Sequence, residues 1–312
     1  MLLYPGKKGI RIMNRILDLV SPQQLARIAS LQILARQTVE GYFSGRHRSP
    51  QRGVSVEFKE HRPYVRGDEL KDVDWKAFAK SDRLYIRQHE QETNLRCTLL
   101  IDRSGSMMYG GDRSRLESKD RYVQGLAASL AYLMLSQQDS VGAITFDHIV
   151  RANIPPRNRP SHLQAVLSAL CSPIDGAETD LGAAISSMVP KLKRRGIVVL
   201  VSDCMGDLES LGRAVAQIRS QQHEVVCFRV LDPDEVDFPF HGNVQFQDLE
   251  RQTDDVKLDP DMIRSTYLKR FDDHAAEIRE LCQRNRVDLI TIQTDQPLDH
   301  ALHYYVSTRR QR

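Results

Sequence analysis

No stretch of this 312-residue sequence is apolar over the ~20 residues that a membrane-spanning helix needs. Its longest strongly apolar run, Leu126 to Leu135, reaches about half that length. The opening Met1-Leu2-Leu3-Tyr4 is too short for the apolar part of a secretory signal, and Lys7 and Lys8 follow it instead of preceding it. Cysteine is scarce: Cys97, Cys171, Cys204, Cys227 and Cys282 make an odd count with no CxxC pair, which argues against a disulfide framework or a zinc site. Cys97 and Cys227 sit inside apolar runs and read as core residues. A reducing, cytoplasmic setting is the expectation. Several catalytic signatures are also missing. There is no GxxxxGKS/T phosphate loop, no GxGxxG after a strand, no GxSxG elbow, and no HxxxH or HExxH among the ten histidines. Nucleotide hydrolysis by a phosphate loop, dinucleotide chemistry, acyl transfer at an elbow serine and zinc peptidase chemistry therefore have no sequence support.

What the chain does have is ordinary globular composition, 41% hydrophobic and 27% charged, enough for a sizeable core. Its charge is uneven. Residues 1–94 hold 17 Lys and Arg against 11 Asp and Glu, and the remainder 27 against 30. No nucleic-acid motif accompanies the basic half, so a solvated surface or a face docking on the acidic half accounts for it best.

Ser21-Pro22 reads as a helix start, and Leu25, Ile28, Leu31, Leu34 and Ala35 follow at helical spacing to about Phe43. A β-rich stretch is expected next, with a strand at Val54–Phe58, a turn at Arg66-Gly67-Asp68, a short helix at Asp74–Ala79 and a strand at Leu84–Arg87. From Leu95 apolar strands alternate with helical patterns. Strands are expected at Leu95–Ile101, Ser140–Phe146, Val150–Ile154, Ile197–Val201, Glu224–Val230 and Val287–Ile292. Helices are expected at Asp120–Gln137, Ser161–Leu170, Leu181–Arg194, Leu208–Ser220, from Asp259-Pro260 to Arg284, and at Pro297–Val306. The excursion after Asp232 reads as long and irregular. Alternation of this kind predicts an α/β doubly wound, mostly parallel sheet, with residues 1–94 as a separate N-terminal helix and β-rich segment and residues 95–312 as the main domain.

The chemistry concentrates where strands end. Asp102-Arg103-Ser104-Gly105-Ser106 directly follows the first buried strand; Thr179 stands in a loop entering a helix; Asp203 closes the strand Ile197–Val201. In an open α/β sheet ligands sit beyond the carboxyl ends of the strands. Two carboxylates and three hydroxyls there form a hard oxygen set suited to magnesium, manganese or calcium. Each segment alone is an ordinary cap or turn; the three in this order are far more specific. The set resembles the metal-ion-dependent adhesion site of von Willebrand factor A domains. By that resemblance Ser104, Ser106 and Thr179 would bind the metal through hydroxyls, and Asp102 and Asp203 directly or through water. A partner protein would then offer a carboxylate to the open position. The sequence departs after Asp203, where many such domains have glycine and this chain has Cys204-Met205.

A second block is more family-specific. Gly53–Phe58, Arg62-Pro63-Tyr64-Val65-Arg66-Gly67-Asp68, Asp72-Val73-Asp74-Trp75 and Glu90-Gln91-Glu92 resemble the bacterial domain-of-unknown-function-58 family. Kinship implies a Rossmann-like A-type domain and association with a MoxR-type AAA+ ATPase, in an adaptor or chaperone-like role. Arg62, Arg66 and Asp68 are candidates for contacting that partner, as is Met107 beside the metal loop. A metal-dependent phosphoester hydrolase using Asp102 and Asp203 is the alternative, with His148 and His162 the nearest histidines for a base.

Overall fold

A computed structural model of the chain describes residues 22–46, 61–63, 85–87, 95–173, 180–242, 244–247 and 255–310. In chain order its elements are α1 (Pro22–Arg46), β1 (His61–Pro63), β2 (Tyr85–Arg87), β3 (Arg96–Asp102), α2 (Lys119–Ser136), β4 (Ser140–Phe146), β5 (Val150–Arg157), α3 (His162–Leu170), α4 (Leu181–Met188) and β6 (Ile197–Ser202). There follow α5 (Leu208–Ser220), β7 (Glu224–Leu231), α6 (Pro233–Asp237), β8 (Val244–Gln247), β9 (Asp255–Leu258), α7 (Pro260–Arg284), β10 (Asp288–Gln293) and α8 (Leu298–Arg310).

The chain divides into two units. Residues 1–45 group with 95–312 in one, and residues 46–94 form the other. A division after residue 45 thus separates α1 from the β-rich segment with which it was expected to share a domain. Helix α1 belongs with the main unit because its apolar stripe, Ile28, Leu31, Ala35, Val39 and Tyr42, is buried in that unit's core. In the smaller unit β1 and β2 pair antiparallel, with Arg62 opposite Ile86. The strand expected at 54–58, the turn at 66–68 and the short helix at 74–79 lie outside the described residues.

The main unit is a six-stranded sheet in the order β10-β7-β6-β3-β4-β5. All neighbours are parallel except β4 and β5, which form a hairpin. The central strands are near-continuous apolar runs because both faces are covered. On β3, Cys97, Leu99 and Ile101 face one core cluster, which α1, α2, α3 and α8 complete. Leu100 faces the other, built with α4, α5 and α7. Strand β6 alternates in the same way, Val199 and Val201 against Val198 and Leu200. All five cysteines are free and buried. Among the described residues no helix is long and apolar enough to cross a membrane.

Two expectations change in detail. The helix predicted over 181–194 ends at Met188 and passes into a single 3-10 turn, Val189–Lys191, since Pro190 cannot continue the α-helical ladder. The excursion after Asp232 is more ordered than its sequence suggests. It holds α6, closed by a capping box between Asp232 and Glu235, and the antiparallel pair β8–β9.

The strand order fixes where a site can form. The chain builds outward from β3 through β4 to β5, then returns to lay β6 on the other side of β3. The crevice beyond the carboxyl ends of β3 and β6 is therefore the topological switch point.

Candidate metal centre

Asp102 is the last residue of β3, and Asp203 follows the last residue of β6. Both carboxylates are buried, 2% and 1% exposed, at the mouth of that crevice. Asp102 Oδ1 accepts from the Ser104 amide at 2.9 Å, which folds the loop back over the strand end. Its Oδ2 accepts from Ser202 Oγ at 2.6 Å, joining the two central strands. The Ser104 and Ser106 hydroxyls lie 3.1 Å apart, and Ser106 is near enough to Asp203 to help lower its pKa. Four of the five residues expected to hold a metal thus converge. Thr179 lies outside the described residues.

The electrostatics of this cluster explain its chemistry. Burial, reinforced by the negative charge of Asp203, pushes the Asp102 carboxyl up to about 7. Burial would raise Asp203 as well, but the Lys119 ammonium outweighs it and holds that carboxyl below its ordinary value. Lys119 is fully buried; its Nζ donates to Asp203 Oδ2 at 2.8 Å and to Glu235 Oε1 at 2.5 Å. Burial alone would lower the ammonium, yet the two carboxylates hold it above its ordinary range. With every group ionised, three carboxylates face the Lys119 ammonium and the buried Arg229 guanidinium, which also interacts with Asp203 and Glu235, an excess of one negative charge. Among the described residues no group of three or more His, Cys, Asp or Glu is arranged to hold a metal. The donors that fit are instead two carboxylates and serine hydroxyls, all hard oxygens.

Sequence reasoning missed five residues that build this edge. Arg103 is buried, and its guanidinium grips Asp120 through Nε at 2.8 Å and Nη2 at 3.0 Å while Nη1 donates to the Ser172 carbonyl. Lys119 and Asp120 follow the N-cap Ser118 of α2, so the helix start points both at the site. Glu235 comes from the capping box of α6, and Ser202 from the end of β6. The signal in each case was a polar residue next to an apolar run, which reads equally well as a cap.

Three further expectations meet the geometry. Met107 is not a partner contact: it is fully buried in the core, because the 3-10 turn Gly105–Met108 points it inward. Its neighbour Met108 is 48% exposed. Arg66 and Asp68 lie outside the described residues. His162 sits by the backbone of Val141, at the amino end of β4, whereas Asp102 pairs with Phe146 at the carboxyl end. It cannot serve as a base at this edge; His148, beside Asp147, and His274, whose Nε2 lies 3.0 Å from the Cys204 carbonyl oxygen, are placed near it. The Cys204 departure is accommodated directly: its backbone adopts φ 57°, the left-handed conformation that glycine favours, and its thiol is buried 3.7 Å from that of Cys227.

Fold and site together define an α/β protein with a six-stranded, mostly parallel sheet and an acidic, hydroxyl-bearing cluster at its switch point. Residues 60–277 match the family described as "Protein of unknown function DUF58", and the chain belongs to that family. It is 26% identical to an uncharacterized protein of Mycobacterium tuberculosis over 299 residues, 94% of this chain and 92% of the relative. An uncharacterized protein of Mycobacterium avium is 29% identical over 136 residues, 43% of this chain and 79% of that one. Among solved structures, the conserved hypothetical protein BatB from Bacteroides thetaiotaomicron superposes with a TM-score of 0.45 at 12% identity, over 70% of this chain and 100% of that chain. An aerotolerance-related membrane protein from Bacteroides fragilis gives 0.46 at 17%, over 69% and 99%.

Proposed function

We propose that the protein is a divalent-metal-dependent protein–protein interaction module of the von Willebrand factor A type. It would act as an adaptor or chaperone-like partner of a MoxR-type AAA+ ATPase in the cytoplasm. The observation that carries this reading is the meeting of Asp102, Ser104, Ser106 and Asp203 at the switch point, with a net negative charge left uncompensated. Magnesium is the cation of choice, with manganese or calcium as substitutes; Thr179 would add a third hydroxyl. Hydroxyl ligands leave the cation partly charged, so it can bind a carboxylate from a partner. Beside the loop lies a cavity of about 230 Å³ with Arg27 and Met108 on its wall, where Arg103 and Arg121 are paired with Asp120 and Glu117.

The test is calorimetric titration of magnesium into the wild type and Asp102→Asn, followed by co-purification with a MoxR-type ATPase with and without chelator. Binding is expected for the wild type and at least about tenfold weaker binding for the variant, a loss of about 1.4 kcal/mol. Equal binding in both proteins would overturn the metal site. Metal binding without chelator-sensitive ATPase capture would overturn the partner. Manganese-dependent phosphoester turnover that Asp203→Ala abolishes would favour the hydrolase instead.

A further inference from the structure

The amino ends of the strands carry a second concavity, opposite in character to the acidic edge. It has a volume of about 680 Å³, within the range of small-molecule pockets. Its lining includes Arg96, Lys191, Lys193 and Arg194, and no carboxylate.

The sequence explains why space exists there. On β4 the pairing steps from Val141 to Ala143, two residues on, while on β5 it steps from Arg157 to Ile154, three residues on. Strand β5 therefore bulges, and Pro155-Pro156 occupies the bulge, where residues without an amide N–H are tolerated. Gly142 permits the close approach: a Cβ there would lie 2.5 Å from the Ile154 carbonyl oxygen and 2.6 Å from the Pro156 nitrogen. The cavity lies between this edge and the Val189–Lys191 turn, which Pro190 imposes. Buried Thr98, Ile144 and Leu192 supply part of its wall.

We propose that this cavity binds an organic di- or triphosphate. Three of the four cations are exposed and Arg96 is half-buried; grouped round one concavity they repel one another, and an anion seated among them relieves that repulsion. A single carboxylate would neutralise one of the four; a di- or triphosphate carries a matching charge and several acceptor oxygens. Arginine and lysine together suit it, the first by forked hydrogen bonds and the second as a point charge. Lys191 already donates one hydrogen to the Ser187 carbonyl at 3.0 Å, which leaves its ammonium two more donors. The apolar wall of Ile144, Ile154 and Leu192 suits the organic part of the ligand.

The test uses the full chain, with ADP and pyrophosphate as probes and citrate as a polycarboxylate control, by calorimetry at low and high salt. The combined variant Lys191→Gln, Lys193→Gln, Arg194→Gln alters exposed side chains and should keep the fold; its ADP affinity is expected to fall by at least about tenfold. Asn153→Trp narrows the cavity without removing charge and should also weaken ADP. Retained ADP binding in either cavity variant overturns the site. Citrate binding as tightly as pyrophosphate overturns the ligand class. Displacement of ADP by short duplex DNA at lower concentration would mark a surface for long polyanions, and would overturn the small-ligand proposal.

Discussion

Lys119 is the residue on which the acidic edge depends. Its ammonium is fully buried between Asp203 and Glu235, and neither carboxylate has another cation at salt-bridge distance among the described residues. Replacing it with methionine fills the space but leaves the buried Asp203 and part-buried Glu235 carboxylates without their shared cation. Breaking one partner of a buried ion pair costs about 3–5 kcal/mol, far more than an exposed pair is worth. Lys119→Met is therefore expected to lose stability of that order in urea denaturation. Converting Asp203 and Glu235 to their amides in the same background should recover most of the loss. If Lys119→Met alone unfolds at the wild-type midpoint, the ammonium is not the counter-charge described here. Nothing in the sequence around Ser118-Lys119-Asp120 announces this role. A lysine at a helix start is usually solvated, and what buries this one is the later arrival of Glu235, more than a hundred residues on. The aspartates and serines of the site were legible because each stands directly after a strand of unmistakable apolarity. Their counter-charges were not, because the pairing is made only by tertiary structure.

At the scale of elements, periodicity fixed the central sheet well. The runs Leu95–Ile101 and Ile197–Val201 could be buried strands because apolar residues continue without alternation, and the two-sided packing bears that out. Where the reading fell short, a local signal was ambiguous. Phe238, Phe240 and Phe246 looked like scattered aromatics of a loop, yet they pack on one another with Tyr267, with centroids 4.4–5.9 Å apart, and hold β8–β9 against α7. The position of α1 could not be read at all, since an amphipathic stripe says that a helix is buried but not against what. Its place in the main core has a measurable consequence. Leu31 is 5% exposed in the cluster completed by α2 and α8. Leu31→Ala should cost about 2–5 kcal/mol of the main unit's stability, as for other large-to-small core changes. A loss below about 0.5 kcal/mol, typical of surface substitutions, would return the helix to a separate segment.

On the scale of the whole molecule, one buried carboxylate ties together segments far apart in the chain. Asp232, at the end of β7, is fully buried. Its Oδ2 accepts from the Gly111 amide, from Ser114 Oγ at 2.8 Å and from Thr294 Oγ1 at 2.9 Å, while Oδ1 accepts from the Asp234 amide. It thus pins the loop before α2 and the turn after β10 to the carboxyl edge. Burial by itself would raise its pKa, but these hydrogen bonds outweigh it and hold the carboxyl below the ordinary value. The sign of the pH effect follows. A group whose folded pKa is depressed adds stability above its unfolded pKa, about 3.9 for aspartate, and loses it as pH falls through the lower folded value. The stability difference between wild type and Asp232→Asn should therefore be greatest near neutral pH and constant down to about pH 5. It should then shrink steadily below pH 4, as the wild-type carboxylate is protonated and the asparagine is not. Subtracting the variant removes the titration of every other carboxylate, which acid unfolding of the wild type alone would not. Urea midpoints measured for both proteins from pH 7 to the acid limit of folding decide it. A difference that stays constant across the acid range, or that grows as pH falls, would mean the four hydrogen bonds do not favour the ionised form.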